Sequence, residues 1–371
     1  MLALLRREPV LLGILGFAVI FFAYHWAVDL DRPGTLYPNG WRGYNDQGFY
    51  LREALDLIHL GYIPSGDFAY GPGYPLLAVP FAAIGPHGWP FQDPFAFADL
   101  ASWLLTIGVT YLVGRRLGGE IHGVVSAGAL MLATPLIGLV TLPWNTTAVL
   151  AAGMIVLAVA LSRRLRWWHG GLLGLAVGLA YSARYVDALW VGVELLTVLY
   201  ARRALSRKQW PVLVAVMGGA FVLLLPTLWL QWKAFGRPFT TTYGHLNSVN
   251  GSSFALHNIG LHALDTFVSP FFFPEHGQRS TATPLLSSMF LIVLVPIGYW
   301  LELRRSPRPR RTLALGFGLA SLAATLFYLS YWYTGPYGLG FGAIRFFEMW
   351  LPLWVLAAVT AVIEGIAWLR R

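Results

Sequence analysis

The sequence predicts an all-α, polytopic membrane protein, and three observations carry that prediction. Apolar runs recur along the whole chain, each of about 20 residues, the length that crosses about 30 Å of hydrocarbon. Only 12% of the 371 residues are charged, against about 25% in soluble domains. The Lys and Arg residues gather in clusters between the apolar runs, as cytoplasmic loops do under the positive-inside rule. A transmembrane β-barrel would show short alternating strands between turns instead. The clustering also reads the formal charge of +9 as topology and not as nucleic-acid binding. With no cysteine in the chain, disulfides and thiolate metal sites are excluded.

Each element follows in order. Arg6 and Arg7 precede an apolar run over residues 9–28 that has no small-residue cleavage site after it. It reads as a retained helix, with the N-terminus cytoplasmic. A loop rich in Pro, Gly and Tyr, residues 29–94, then leads to a helix over 95–114 that returns to Arg115 and Arg116. The run 121–141 goes out, "TLPWN" turns it, and 146–162 comes back to Arg163, Arg164 and Arg166. The stretch 169–200 lies between two basic clusters and must cross twice, yet it is too short for two full helices and a loop. The spacing therefore predicts two short or tilted helices meeting near "YSARYVD", residues 181–187.

Arg202, Arg203, Arg207 and Lys208 mark the return. The run 210–230 leads to a second long external loop, 231–283, and 285–303 comes back to "ELRRSPRPRR". The last pair, 312–331 and 347–368, is joined outside by "YWYTGPYGLGFGAIR". The sum is about ten crossings, both termini cytoplasmic, in a plasma membrane of the bacterial inner-membrane type. Residues 1–371 read as a single transmembrane domain without a soluble C-terminal domain, and any site faces outward.

Two stretches of the first loop are amphipathic or broken in an informative way. In "GYNDQGFYLREALDLIHLGY", residues 43–62, Tyr50, Ala54, Leu57 and Ile58 recur at helical spacing. Arg52, Glu53, Asp56 and His59 fall elsewhere on the wheel, the pattern of a helix lying in the membrane interface. Asp46 sits at or just before its N-terminus. There it serves either as a cap for backbone N–H groups or as a carboxylate able to take a proton from an acceptor hydroxyl. In "GDFAYGPGYPLLAVPFAAIG", residues 66–85, Gly and Pro break the chain before a second interfacial segment begins at about Tyr74.

Four elements in this order resemble the GT-C glycosyltransferase superfamily, nearest to its protein-mannosyltransferase and aminoarabinose-transferase-like members. The first is the loop acid with Tyr50 and the Tyr–Gly–Pro–Gly–Tyr–Pro–Leu segment after it. "GLAYSARYVDALWV" (178–191) resembles that superfamily's glycine-rich helix ending in Thr/Ser-x-Arg. "WKAFGRPFTTTYGH" (232–245) resembles its FG-x-P…Y segment, and "GFGAIRFFEMWLPLW" (340–354) its G-x-R-aromatic…P approach to a late helix.

The resemblance implies inverting transfer of a sugar from a polyprenyl-phosphate carrier to a lipid, glycan or protein acceptor outside the membrane. Asp46 matches the catalytic base. Asn45 and Gln47 stand where a second acid often accompanies it, so no metal is required and a Mg²⁺ role is left open. The string Asp29–Leu30–Asp31 is an alternative acid pair, placed where the first helix emerges. Arg184, Arg345, Lys233 and Arg237 are the candidates to hold the donor phosphate, being external cations against the topological bias.

Each cation has a structural alternative. Arg184 pairs with Asp187, and Arg345 with Glu348, at i+3. Lys233 and Arg237 snorkel at the interface. Tyr50, Tyr243 and His245 are candidate contacts to donor or acceptor. His257 and His262 are five residues apart, which is not the i, i+4 spacing of a helical zinc pair. The rival classes are a lipid-linked-sugar flippase, which would want charge at mid-membrane as at Glu194, and a non-catalytic polyprenyl-phosphate-binding protein.

Overall fold

The computed structural model describes residues 8–28, 45–68, 70–84, 93–132, 136–137, 140–141, 143–240, 255–263, 282–331 and 345–370. Its described elements are helical. In chain order they are α1 (Pro9–Val28), α2 (Asn45–His59), α3 (Gly73–Ala82), α4 (Ala96–Gly118) and α5 (Glu120–Met131). Next come α6 (Asn145–Ala160), α7 (Trp167–Ala183), α8 (Asp187–Ala201), α9 (Trp210–Phe235) and α10 (Leu256–Ala263). The last are α11 (Ala282–Arg305), α12 (Arg308–Ser330) and α13 (Leu351–Leu369), with a 3₁₀ turn over Arg345–Trp350 leading into α13.

Among the described residues, five segments are long and apolar enough to cross a membrane: most of α1, then α4, α9, α12 and the continuous run Phe346–Leu369. The chain is a polytopic helical membrane protein. The break expected inside 169–200 is present, with α7 and α8 only 17 and 15 residues long on either side of Arg184. α5 stops at Met131, short of the predicted 141. Pro135, which removes a backbone donor and disfavours helix at the residue before it, accounts for an early stop.

α6 is the centre of the bundle. It is apolar nearly all round, and almost every one of its residues is buried, as expected of a helix enclosed by others. α4, α7, α8 and the 3₁₀ turn pack against it. The first helix is fastened to this core by apolar packing and by a polar contact at each end. Trp103 Nε1 donates to the Ala18 carbonyl at 3.0 Å, tying α4 to α1. At the other end of the same pair, Arg115 donates to Glu8 at 2.8 Å.

Small residues decide the closest helix contacts. α7 carries Gly170, Gly174 and Gly178 on one face, and that face lies directly on α9. A Cβ added at Gly174 would sit 2.0 Å from the Val216 carbonyl oxygen. Without a hydrophobic drive between helices in lipid, this small-residue stripe is what lets backbones approach and gain dispersion contacts. The glycine-rich character of the 170s is therefore a packing device.

Candidate functional site

The site grows from the turn between α7 and α8. α7 ends when Arg184 adopts an extended conformation, and its N–H still closes onto the Ala180 carbonyl at 2.7 Å. Contacts from two helices, α6 and α9, hold the turn in place. Asn145, at the start of α6, donates from Nδ2 to the Ala183 carbonyl at 3.2 Å. Ser182 donates to the Leu223 carbonyl at 3.2 Å and lies 2.7 Å from Thr227 Oγ1, both on α9. Gln231 at the end of α9 donates to the Tyr185 hydroxyl at 3.1 Å and accepts the Phe239 N–H at 3.2 Å.

The segment Tyr70–Tyr74 lies on the same turn. A Cβ at Gly71 would fall 2.2 Å from the Ser182 carbonyl oxygen, and one at Gly73 2.6 Å from the Ser182 carbonyl carbon. Only glycine permits that approach, so the "AYGPGYP" spacing reflects contact with "YSAR". Behind it stands an aromatic cluster of Tyr50, Tyr70, Tyr74 and Phe95. The Tyr74 hydroxyl donates to the Asp99 carboxylate at 2.9 Å, and Glu53 accepts the Tyr70 N–H at 3.2 Å.

The electrostatic centre is Arg184. Its Nε lies 3.2 Å from Asp187 Oδ2, both side chains being largely buried. Its guanidinium carbon sits 5.0 Å from the Phe346 ring centre and 5.7 Å from that of Tyr328, which is cation–π range. Tyr328 donates its hydroxyl to the other Asp187 oxygen and stacks on Phe346 at 5.1 Å. Glu348 is fully buried within electrostatic reach of Arg184 and Asp187. Thr147 approaches Glu348 Oε1 at 3.5 Å, while Oε2 has no hydrogen-bond partner among the described residues. A fixed guanidinium has the planar donor chemistry that binds phosphate, and here it is held beside aromatic faces and buried carboxylates.

Four solved chains resemble this architecture. ArnT from Cupriavidus metallidurans in the apo state aligns with a TM-score of 0.51 over 93% of this chain and 59% of its own, at 20% identity. ArnT from the same organism bound to undecaprenyl phosphate aligns with a TM-score of 0.55 over 95% and 60%, at 19% identity. The fold is GT-C-like. The chain thus spans about three fifths of the length of the ArnT chains it resembles. No family model matches the sequence, and no curated protein matches it either.

The GT-C-like fold brings together what the sequence offered as separate segments. The Tyr–Gly–Pro–Gly–Tyr segment, the Ser182–Asp187 turn, the end of α9 and the 3₁₀ turn after Arg345 converge on one end of the bundle. Of the expected site residues, Arg184 lies at the centre, in the i+3 pair with Asp187 that was its structural alternative. Tyr50 is buried in the aromatic cluster, one helical turn after Asp46 in α2. Asp46 is the second residue of α2 and Arg345 the first of the 3₁₀ turn; the side chains of both lie outside the described residues.

Lys233 and Arg237 lie at the exposed end of α9, Lys233 between the rings of Trp229 and Trp232. Asp29, Asp31, Tyr243 and His245 lie outside the described residues.

Two participants were missed. Glu53 was assigned to the polar side of α2, yet it is buried at 0% exposure against Tyr70. Tyr328, which bonds Asp187, carried no signal beyond its place near the end of an apolar run. An acid inside an otherwise amphipathic helix is a cue for the first. The second required the tertiary structure.

Proposed function

We propose that this chain is a membrane glycosyltransferase that moves a sugar from a polyprenyl-phosphate carrier to a lipid, glycan or protein acceptor, and that the Arg184 turn is its donor-phosphate site. The observation that carries the reading is the GT-C-like fold, shared with an ArnT structure bound to undecaprenyl phosphate, with a buried, geometrically fixed guanidinium at the convergence of four segments. The reaction is extracytoplasmic, at the end of the bundle opposite the arginine clusters.

In this mechanism Arg184 and Arg345 hold the donor phosphate, with Lys233 and Arg237 at the rim drawing in the anion. Phosphate competes with Asp187 for Arg184, whose planar guanidinium suits the oxygens of either partner. Asp46, at the start of α2, takes the proton from the acceptor nucleophile. The freed electron pair attacks the anomeric carbon, the bond to the carrier phosphate oxygen breaks, and the configuration inverts. The cations stabilise negative charge as it develops on the leaving phosphate.

The test is transfer from a panel of radiolabelled polyprenyl-phosphate sugars in proteoliposomes, wild type against Asp46→Asn. Transfer by wild type, and its loss by about 10²-fold or more in Asp46→Asn with donor binding retained, is the expected result. Full activity in Asp46→Asn makes Asp46 a helix cap. Carrier binding without transfer for any donor favours a flippase. One feature supports that second reading: Glu194 is buried within α8, and its Oε2 has no hydrogen-bond partner among the described residues.

A further inference from the structure

The far end of the bundle contains a cavity that the proposed reaction does not use. Its volume is about 590 Å³. It is walled by the ends of α4, α6 and α8, by the turn between α11 and α12, and by the middle of α13. From Asn145 at the Arg184 end, α6 runs 15 residues to Ala160 at the cavity. At 1.5 Å per residue that is about 22 Å. α12 gives the same separation, from Tyr328 to Leu313.

The cavity has two chemically distinct parts. Leu157, Leu313, Phe317 and Leu353 belong to its apolar lining. Arg116, Arg163, Arg202 and Arg310 also line it, with Glu302 as the one carboxylate among the lining residues. Glu302 is already engaged, 3.1 Å from Arg310 Nε. Arg116 and Arg202 are anchored by donating to the Leu161 and Ala160 carbonyls at the end of α6. That anchoring fixes two like charges at one mouth without neutralising either.

Two shielded polar atoms of the lining also lack a hydrogen-bond partner among the described residues: Arg202 Nε and the Tyr299 hydroxyl. A donor left buried without an acceptor is costly. Burial and the neighbouring Arg116 both disfavour the charged form of Arg202, lowering its pKa. All of these costs are relieved by one kind of occupant, an anion with an apolar tail.

We infer that this cavity binds an anionic phospholipid of the adjacent leaflet, the phosphate among Arg116, Arg163, Arg202 and Arg310 and an acyl chain against the Leu157–Phe317 wall. Basic pockets between transmembrane helices are suited to phosphate headgroups in this way. A neutral zwitterionic lipid offers its phosphate together with a cation, which these arginines repel. A soluble phosphate satisfies the arginines and leaves the apolar lining empty.

The test is native mass spectrometry of the full chain released from micelles and titrated with phosphatidylglycerol or phosphatidylcholine. Phosphatidylglycerol is expected to bind about tenfold more tightly, a preference worth about 1.4 kcal/mol. The double variant Arg163→Gln/Arg310→Gln should lose most of that preference. Arg163 is exposed and Arg310 borders solvent, so the fold should tolerate both changes; Arg163→Gln alone repeats the test if the double variant aggregates. Glycerol phosphate at the same concentration should not displace the lipid. Equal binding of the two lipids, or an unchanged preference in the variants, overturns the inference. Displacement by glycerol phosphate reassigns the cavity to a soluble phosphate ester. None of these outcomes depends on sugar transfer.

Discussion

The two ends of the helical bundle handle positive charge in opposite ways. At the Arg184 end, one guanidinium has Asp187 at 3.2 Å, two aromatic rings and buried Glu348 within reach. At the other end, four arginines line a cavity with a single carboxylate among them. The first arrangement is internally compensated, so its charge is available only to a ligand that competes with an internal partner. The second keeps an excess of positive charge, since its single carboxylate, Glu302, pairs with Arg310, and it invites whatever anion the membrane supplies. The compensated end holds its charged group in a fixed orientation, which is what the proposed reaction there requires.

That contrast can be broken or sharpened by substitution, and the largest effect should come from the backbone packing beneath the Arg184 end. Gly174→Leu places a branched side chain where even a Cβ meets the Val216 carbonyl at 2.0 Å. Loss of monodisperse protein in size-exclusion chromatography is expected, because α7 and α9 cannot separate without freeing the Ser182 turn. The next effect is Asp187→Ala. It takes the Asp187 carboxylate away from largely buried Arg184 and should cost about 3–5 kcal/mol, read as a fall in the unfolding midpoint in micelles.

Tyr328→Phe removes a single donor to Asp187. A smaller loss of about 1–3 kcal/mol is expected by the same measurement. If it matches Asp187→Ala, the tyrosine is as necessary to the compensated end as the ion pair. The smallest effect belongs to the rim. Lys233→Gln with Arg237→Gln should change stability by less than about 0.5 kcal/mol, while weakening donor binding at low salt more than at high salt. A salt-independent loss would place these residues in contact with the phosphate and not at a distance.

Much of this architecture was legible in the chain. The basic clusters and apolar runs located α4, α6, α9 and α12 to within a few residues, because helix length in a membrane is set by its thickness. The break at 181–187 followed from arithmetic, since 32 residues between two basic clusters cannot hold two full crossings. Arg184 stood out because an external arginine in an apolar setting must have an anionic partner. The remainder depended on tertiary contact. Glu53 lies three residues after Tyr50, on the face that Tyr50 and Ala54 bury, but that its carboxylate would be held there by the Tyr70 N–H is visible only in the tertiary structure. Tyr328 and Asp187 are 141 residues apart, and no local pattern links them.

The glycine stripe of α7 has a mechanical consequence. Along Gly170, Gly174 and Gly178 the two helices approach backbone to backbone, with no α7 side chain at those three positions to change rotamer. Ser182 on one helix and Leu223 and Thr227 on the other then join them across the top. The pair is a stiff strut, and Gln231 extends it as far as Phe239. Any rearrangement around the Arg184 turn is therefore easier on the opposite wall. There α12 and the 3₁₀ turn meet Arg184 through the rings of Tyr328 and Phe346, while α8 is joined to it by the backbone as well, the Asp187 N–H donating to the Arg184 carbonyl at 3.1 Å, so the wall that can rearrange without breaking a backbone contact is the aromatic one.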